Sequence, residues 1–260
     1  MGENISPQIS KMTVPNGHSI SVYSWNEVEE PVAVLQIFHG MSEHAERYHR
    51  LAGFLNSHGI IVIGNDHRGH GKTAQQNGKN GVIGKNGFYK MVEDEYILTK
   101  QIKQQYDGIP VFILGHSFGS FVGQEYITRY GSEIAGIILS GTAAQEGAEV
   151  RLGKLLAAIQ TRLAGEEKPS RTIELLTFGT YNKRVVKPKN LPVYILAGRE
   201  DPVGGYGKKT EKLYDMFHDL GLADLKMKLY IEARHELLNE INRQEVSDDI
   251  LEWVKGHLNT

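Results

Sequence analysis

The stretch PVFILGHSFG (110–119) decides the fold. Its first part, PVFILG (110–115), is a continuous apolar run without alternation, the pattern of a strand buried on both faces. Its second part, Gly115-His116-Ser117-Phe118-Gly119, is G-x-S-x-G, and a helical pattern from Phe121 to Tyr130 follows. Strand, sharp turn and helix in that order lift a serine hydroxyl above the sheet edge. The flanking glycines relieve crowding where the strand meets the helix. Amides at the helix N-terminus then point to where negative charge develops during attack on a carbonyl.

Working outward, similar runs recur in PVAVLQIF (31–38), IIVIG (60–64), IAGIILS (134–140) and PVYILAG (192–198), and a further apolar run, LKMKLYI (225–231), lacks their continuous pattern. Helical patterns lie between and after them. Tyr48, Leu51, Ala52 and Leu55 share one helical face, as do Val246, Ile250, Trp253 and Val254. Ahead of the runs, Ile9 to Val14 and His18 to Trp25 flank Pro15-Asn16-Gly17, a hairpin signal. Strands alternating with helices predict an α/β fold with a mostly parallel, doubly wound sheet and helices on both faces. Residues 141–189 break the alternation and read as a small helical insertion, with Leu152, Leu155, Leu156, Ile159 and Leu163 forming one apolar stripe. The core domain is then 1–140 together with 190–260.

Composition narrows the function. The 260 residues contain no cysteine, which excludes a disulfide framework, a thiolate metal site and a cysteine nucleophile. The formal charge of -2 suggests no nucleic-acid partner. No apolar run approaches the ~20 residues needed to span a bilayer, and Met1 to Lys11 is not a secretory signal. A cytoplasmic protein is the expectation. The charge runs are short and mixed in sign, and read as solvated faces.

A serine hydroxyl needs a base, and the base needs an acid to orient it. On this fold the partners follow in the order serine, acid, histidine, in loops after later strands. Asp201 follows PVYILAG, and His235 follows LKMKLYI. Glu200 is the rival acid; the rigid turn Pro202-Val203 favours Asp201. Glu236 reads as a helix N-terminal charge, and His218 and His257 as surface residues. The strand ending in Phe38-His39-Gly40-Met41 offers the Met41 N–H, which pairs with the Phe118 N–H as a two-donor oxyanion hole. Gly40, Met41 and His116 are expected to line the substrate's path. The histidines His39, His44, His49, His67 and His70 raise metal binding. They lack the H-E-x-x-H pattern, and a hydrogen-bonded Gly-rich loop over 66–71 is the preferred reading.

Together, FHGMSEHAERY (38–48), NDHRGHGKT (65–73), LGHSFGSFVGQEYITRY (114–130), LAGREDPVGGYGK (196–208) and KLYIEARHELLNE (228–240) carry a family resemblance. The chain resembles bacterial lysophospholipases and monoacylglycerol-lipase-like serine hydrolases. The resemblance implies an α/β-hydrolase fold, a Ser117–Asp201–His235 triad, Met41 and Phe118 as oxyanion donors, a lid after Ser140, and no cofactor. It also implies a small ester or lipid substrate, with a homodimer or transient lipid-surface contact through the lid as partners. The departure is the lid. LLTFGTYNKR (175–184) resembles part of one, yet Val185-Val186-Lys187-Pro188 runs almost at once into the strand before Asp201. Relative to the family, the lid is shortened. A peptidase or amide hydrolase with the same triad, and a non-catalytic binding protein on a hydrolase scaffold, are the alternatives.

Overall fold

The computed structural model describes residues 5–78, 80–84, 86–144 and 188–258. The insertion's apolar stripe and the shortened lid expected over 141–189 fall outside these residues from 145 to 187.

The N-terminal hairpin forms as its turn signal predicts. Strands β1 (Gln8–Thr13) and β2 (Ser19–Trp25) pair antiparallel, and Gly17 takes a left-handed φ of 74° in the turn. The apolar runs become β3 (Ala33–Phe38), β4 (Ile60–Asn65), β5 (Val111–His116), β6 (Gly136–Ser140), β7 (Val193–Gly198) and β8 (Leu225–Tyr230). Among the described residues they make one eight-stranded sheet in the order β1-β2-β4-β3-β5-β6-β7-β8. The β2–β4 pair is antiparallel, and every pair from β4 to β8 is parallel. Strands β3 to β7 are buried at every position, which is why their sequences do not alternate. β8 is an edge strand. Lys228 along it pairs with Asp249 and Glu245, and Lys226 lies over the Tyr194 ring.

Helices α1 (His49–Asn56), α2 (Gly71–Gln76), α3 (Gly87–Gln105), α4 (Phe118–Tyr130), α5 (Lys208–Asp219) and α6 (Arg243–Gly256) cover the sheet. The strands serve both faces with period two. Leu35, Ile37, Phe112 and Leu114 pack with α1 and α6 through Leu51, Leu55, Val246, Ile250 and Trp253. On the other face, Phe38, Ile113, Ile137 and Ile195 pack against Val92 of α3, Val122 of α4 and Phe217 of α5. The apolar stripes read from sequence on α1 and α6 are therefore core. A mostly parallel sheet with an antiparallel N-terminal hairpin and helices on both faces is the α/β-hydrolase fold.

Candidate active site

The parallel register assembles the site at the C-terminal ends of the strands. Phe38 of β3 is level with Gly115 of β5, and His116 with Ser140 of β6. Ser117 sits at φ 50° and ψ −115°, between β5 and α4. A non-glycine residue in that region stores on the order of 1–3 kcal/mol of strain. The surroundings hold it there. The Ser117 N–H donates to Ser140 O at 2.9 Å, while the Ser120 N–H and hydroxyl both donate to Ser117 O. The glycines of the motif are sterically required. A Cβ on Gly119 would lie 1.9 Å from Phe38 O, and one on Gly115 would lie 2.6 Å from Gly119 O. The first turn of α4 thus packs directly on the end of β3, which brings Phe118 and the Gly40–Met41 segment into one neighbourhood.

Asp201 and His235 arrive from the loops after β7 and β8. A Cβ on Gly198 would lie 2.1 Å from Ala233 O, so the loop carrying His235 crosses the end of β7 only because that position is bare. His235 Nε2 lies 2.7 Å from Ser117 Oγ, and its Nδ1 lies 3.0 Å from Asp201 Oδ2. Asp201 is fully buried, and its Oδ1 accepts the Val203 N–H at 2.8 Å, so the turn after it does aim the carboxylate. Burial alone would raise the Asp201 pKa. The hydrogen bond and charge of His235, with the Val203 and Gly204 amides, outweigh that and hold it below the ordinary carboxylate range. Glu200 is exposed, and among the described residues the carboxylate bonded to the His235 ring is that of Asp201. The structure therefore brings together Ser117, His235 and Asp201, and leaves the rival acid outside.

The remaining expected residues surround this line. Gly40 is buried: a Cβ there would lie 2.8 Å from Glu43 Oε1 and 3.2 Å from His116 Cδ2. The Met41 side chain is 48% exposed, so it is free to face a ligand. The His116 ring packs 5.2 Å from the His235 ring and is buried.

One reading of an individual residue is refined and another corrected. Glu236 does stand at a helix N-terminus, at the N-cap of the short 3-10 helix Leu237–Asn239, but its carboxylate makes no capping bond to the helix amides. It accepts a hydrogen bond from Arg47 at 2.7 Å, and Arg47 also pairs with Glu43 at 3.0 Å. Glu43 in turn accepts from the Gly40 N–H and, at 2.9 Å, from the Tyr48 hydroxyl. A bridge therefore joins the residue after His235 to the loop holding Gly40, over 189 residues of chain. His257 is not a surface residue but is half-buried, its ring 2.6 Å from Trp253 O and 3.1 Å from Asp224 Oδ2. His218 is exposed as expected.

The loop over 66–71 is hydrogen-bonded. Asp66 accepts from Ala45 N–H, Lys72 N–H and the Tyr23 hydroxyl. Gly71 is required beside it, since a Cβ there would lie 2.2 Å from Asp66 Oδ2. Among the described residues, no group of three or more histidines and carboxylates is arranged to hold a metal ion.

His116 carries a pH prediction. Burial, with the neighbouring His235 adding to it against Glu43, pushes its pKa down to about 4. The same histidine in the unfolded chain takes a proton near pH ~6.5. Its contribution to stability is thus complete above pH ~6.5 and is lost as the pH falls toward about 4. At pH ~4.5 the loss is on the order of 2–3 kcal/mol. Urea unfolding at pH ~7.5 and pH ~4.5 measures it, and His116→Gln is expected to lose less stability between them. An equal loss in wild type and variant places the acid sensitivity elsewhere.

Comparison with known proteins agrees with this architecture. A family profile described as serine aminopeptidase, S33 matches residues 29–187. A monoacylglycerol lipase of Mycolicibacterium smegmatis is 27% identical, with 90% of this chain and 92% of that protein covered. A monoglyceride lipase of Rattus norvegicus is 29% identical, with 99% and 97% covered. A crystal structure of a highly thermostable carboxyl esterase from Bacillus coagulans in complex with glycerol superposes with a TM-score of 0.86 at 25% identity, covering 98% of this chain and 99% of that one. The profile spans well over half of the chain, across the segments that supply Ser117 and the Gly40–Met41 loop, and the chain accordingly belongs to the serine aminopeptidase, S33 family.

Proposed function

We propose that the chain is a serine hydrolase of carboxylic esters, acting on acyl glycerols or simple esters through a covalent acyl-enzyme. The observation that carries this reading is the 2.7 Å contact between Ser117 Oγ and His235 Nε2, backed by the buried Asp201 carboxylate. In this mechanism Ser117 Oγ bonds to the ester carbonyl carbon while its proton passes to His235 Nε2. The Met41 and Phe118 N–H groups hold the oxyanion. Collapse of the tetrahedral adduct breaks the bond to the alcohol oxygen, which takes the proton from His235. Water then attacks the acyl-enzyme by the same route and releases the acid and Ser117. No cofactor enters these steps. Gly40, Met41 and His116 flank the acyl group. The named activities of the two lipase relatives and of the esterase favour esters over amides. Cytoplasmic location belongs to the same proposal, and a chain without cysteine is compatible with a reducing compartment. Among the described residues, no helix is long and apolar enough to cross a membrane.

The short insertion at 141–189, read as a shortened lid, points to short, soluble acyl esters. Each methylene removed from water contributes about 0.8 kcal/mol, and methylenes beyond a short wall contribute little. The test is a panel of aryl esters of graded length beside a monoacylglycerol and an aminoacyl anilide. Its protein should be of known mass by light scattering, since a dimer or a lipid surface at the insertion would supply a missing wall. We expect kcat/KM to rise over the first few carbons and then level, with the anilide far slower. Preferred turnover of the anilide would select the amide hydrolase, and no turnover at all the binding protein.

A further inference from the structure

Gly40 O and the Met41 N–H belong to one peptide unit. The unit is planar and trans, so its C=O and N–H point in opposite directions. Whatever holds Gly40 O therefore aims the Met41 N–H. That plane needs holding. Gly40 lacks a Cβ because Glu43 and His116 crowd it, and a glycine rotates more freely than any other residue. A flipped plane would turn a carbonyl oxygen toward a developing oxyanion and repel it.

His39 Nδ1 lies 2.7 Å from Gly40 O. A carbonyl only accepts, so Nδ1 carries the hydrogen. On the other side of the ring, the His67 N–H donates to His39 Nε2 at 2.9 Å, so Nε2 is bare. The two contacts leave a single state, the neutral Nδ1–H tautomer. Burial, reinforced by His67 and His70 close by, holds the His39 pKa well below the ordinary histidine range, in keeping with a neutral ring.

The support continues inward. His67 Nε2 donates to His39 O at 3.1 Å. Its Nδ1 faces Glu95 Oε1 at 3.0 Å, a contact without an aligned hydrogen bond. Glu95 Oε2 accepts from Gln36 Nε2 at 2.9 Å, and Gln36 Oε1 accepts from the Thr99 hydroxyl at 2.7 Å. All of these side chains are buried. The chain of contacts runs from the middle of α3, through β3, to the loop beside Ser117.

We infer that His39 is a positioning residue for the oxyanion donor: its Nδ1–H fixes the Gly40–Met41 peptide plane, and the His67 amide selects the tautomer that does so. This rests on the proposed roles of Ser117 and the Met41 N–H. His39 touches no substrate. It acts through the peptide it holds, and its hydrogen bond to Gly40 O also polarises the Met41 N–H.

The test separates positioning from packing. An asparagine amide nitrogen sits about where imidazole Nδ1 sits, while that of glutamine sits nearer Nε2. His39→Asn therefore keeps the donor to Gly40 O, whereas His39→Gln and His39→Leu lose it. The readouts are kcat and KM for a short ester, and the Ki of an alkyl trifluoromethyl ketone. That ketone forms an adduct with the serine whose oxygen is an oxyanion. We expect His39→Leu to lower kcat and ketone affinity by the same factor, on the order of 10- to 100-fold. This lies below the roughly 10²–10³ lost with a whole oxyanion donor. KM should stay within about twofold, and His39→Asn should recover most of both losses. If His39→Leu does not fold, the Asn and Gln variants decide. A roughly tenfold advantage of Asn over Gln in ketone affinity supports the inference, and equality overturns it. Folded His39→Leu protein with unchanged kcat and ketone affinity overturns it too. The underlying assignment fails separately. Ketone binding that survives Ser117→Ala removes the nucleophile, and this inference with it. Binding lost in Ser117→Ala but unchanged in His39→Leu removes this inference alone.

Discussion

Ser117→Ala is expected to lower kcat by on the order of 10⁶ while leaving the fold intact. The reasoning starts from the backbone. The strained φ of 50° at residue 117 is enforced by the amide bond to Ser140 O and by the close packing of Gly119 on Phe38, neither of which involves the serine side chain. Alanine there keeps the turn and loses only the atom that His235 Nε2 contacts. No other hydroxyl is hydrogen-bonded to that ring among the described residues. A fluorophosphonate probe should label wild-type protein and leave the variant unlabelled at the same far-UV circular dichroism. Labelling that persists in the variant means that another residue is the nucleophile.

Asp201→Asn should cost about 10⁴ in kcat with little change in binding. The two carboxylate oxygens have different duties. Oδ1 accepts the Val203 N–H, and Oδ2 faces His235 Nδ1. An asparagine satisfies Val203 only by placing its oxygen there, which turns its NH₂ toward His235. Nδ1 must then accept, the ring proton moves to Nε2, and the imidazole no longer has a lone pair for the Ser117 proton. The control is Glu200→Gln. Its side chain is exposed, and kcat should stay within about twofold. A larger loss from Glu200→Gln than from Asp201→Asn would reverse the assignment of the acid.

Much of this was legible in the sequence because the physics there is local. A strand buried on both faces must be apolar throughout, so PVFILG (110–115) and PVYILAG (192–198) announce themselves. The elbow needs its glycines within a few residues of the serine. The acid and the base must follow later strands, which restricted the candidates to Asp201 and Glu200 for one role and His235 for the other. What stayed hidden has partners far apart in the chain. Glu93-Asp94-Glu95 looks like a solvated charge run, yet Asp94 and Glu95 are buried, one on Arg68 and the other beside His67. Both lie on the core side of α3, where a carboxylate survives only because residues from β3 and the 66–71 loop meet it. Gln36, inside a fully buried strand, was the available signal: an amide with no water near it requires partners. The Glu43–Arg47–Glu236 bridge left no such trace, because each residue alone is an ordinary surface charge.

The pairing of β6 with β7 has a consequence for how such a chain diversifies. Ile137 is level with Val193 and Ser140 with Leu196, and the Gly141 N–H closes onto Leu196 O at 2.9 Å. Thr142 O accepts the Thr210 hydroxyl and the Ala144 N–H donates to Lys209 O, both at 2.9 Å, so the chain as far as Ala144 stays with the body and the two strands keep their own hydrogen bonds. Loop entropy hardly objects, since doubling a connection costs only about 0.6 kcal/mol. Asp201, downstream of β7, is expected to keep its place when that connection grows, shrinks or is exchanged. On the proposed roles, in which the insertion sets substrate range and Asp201 serves the bond-breaking chemistry, the two are separable: the joint between them is a single seam in the sheet, and one side of it can be rewritten without renegotiating the other.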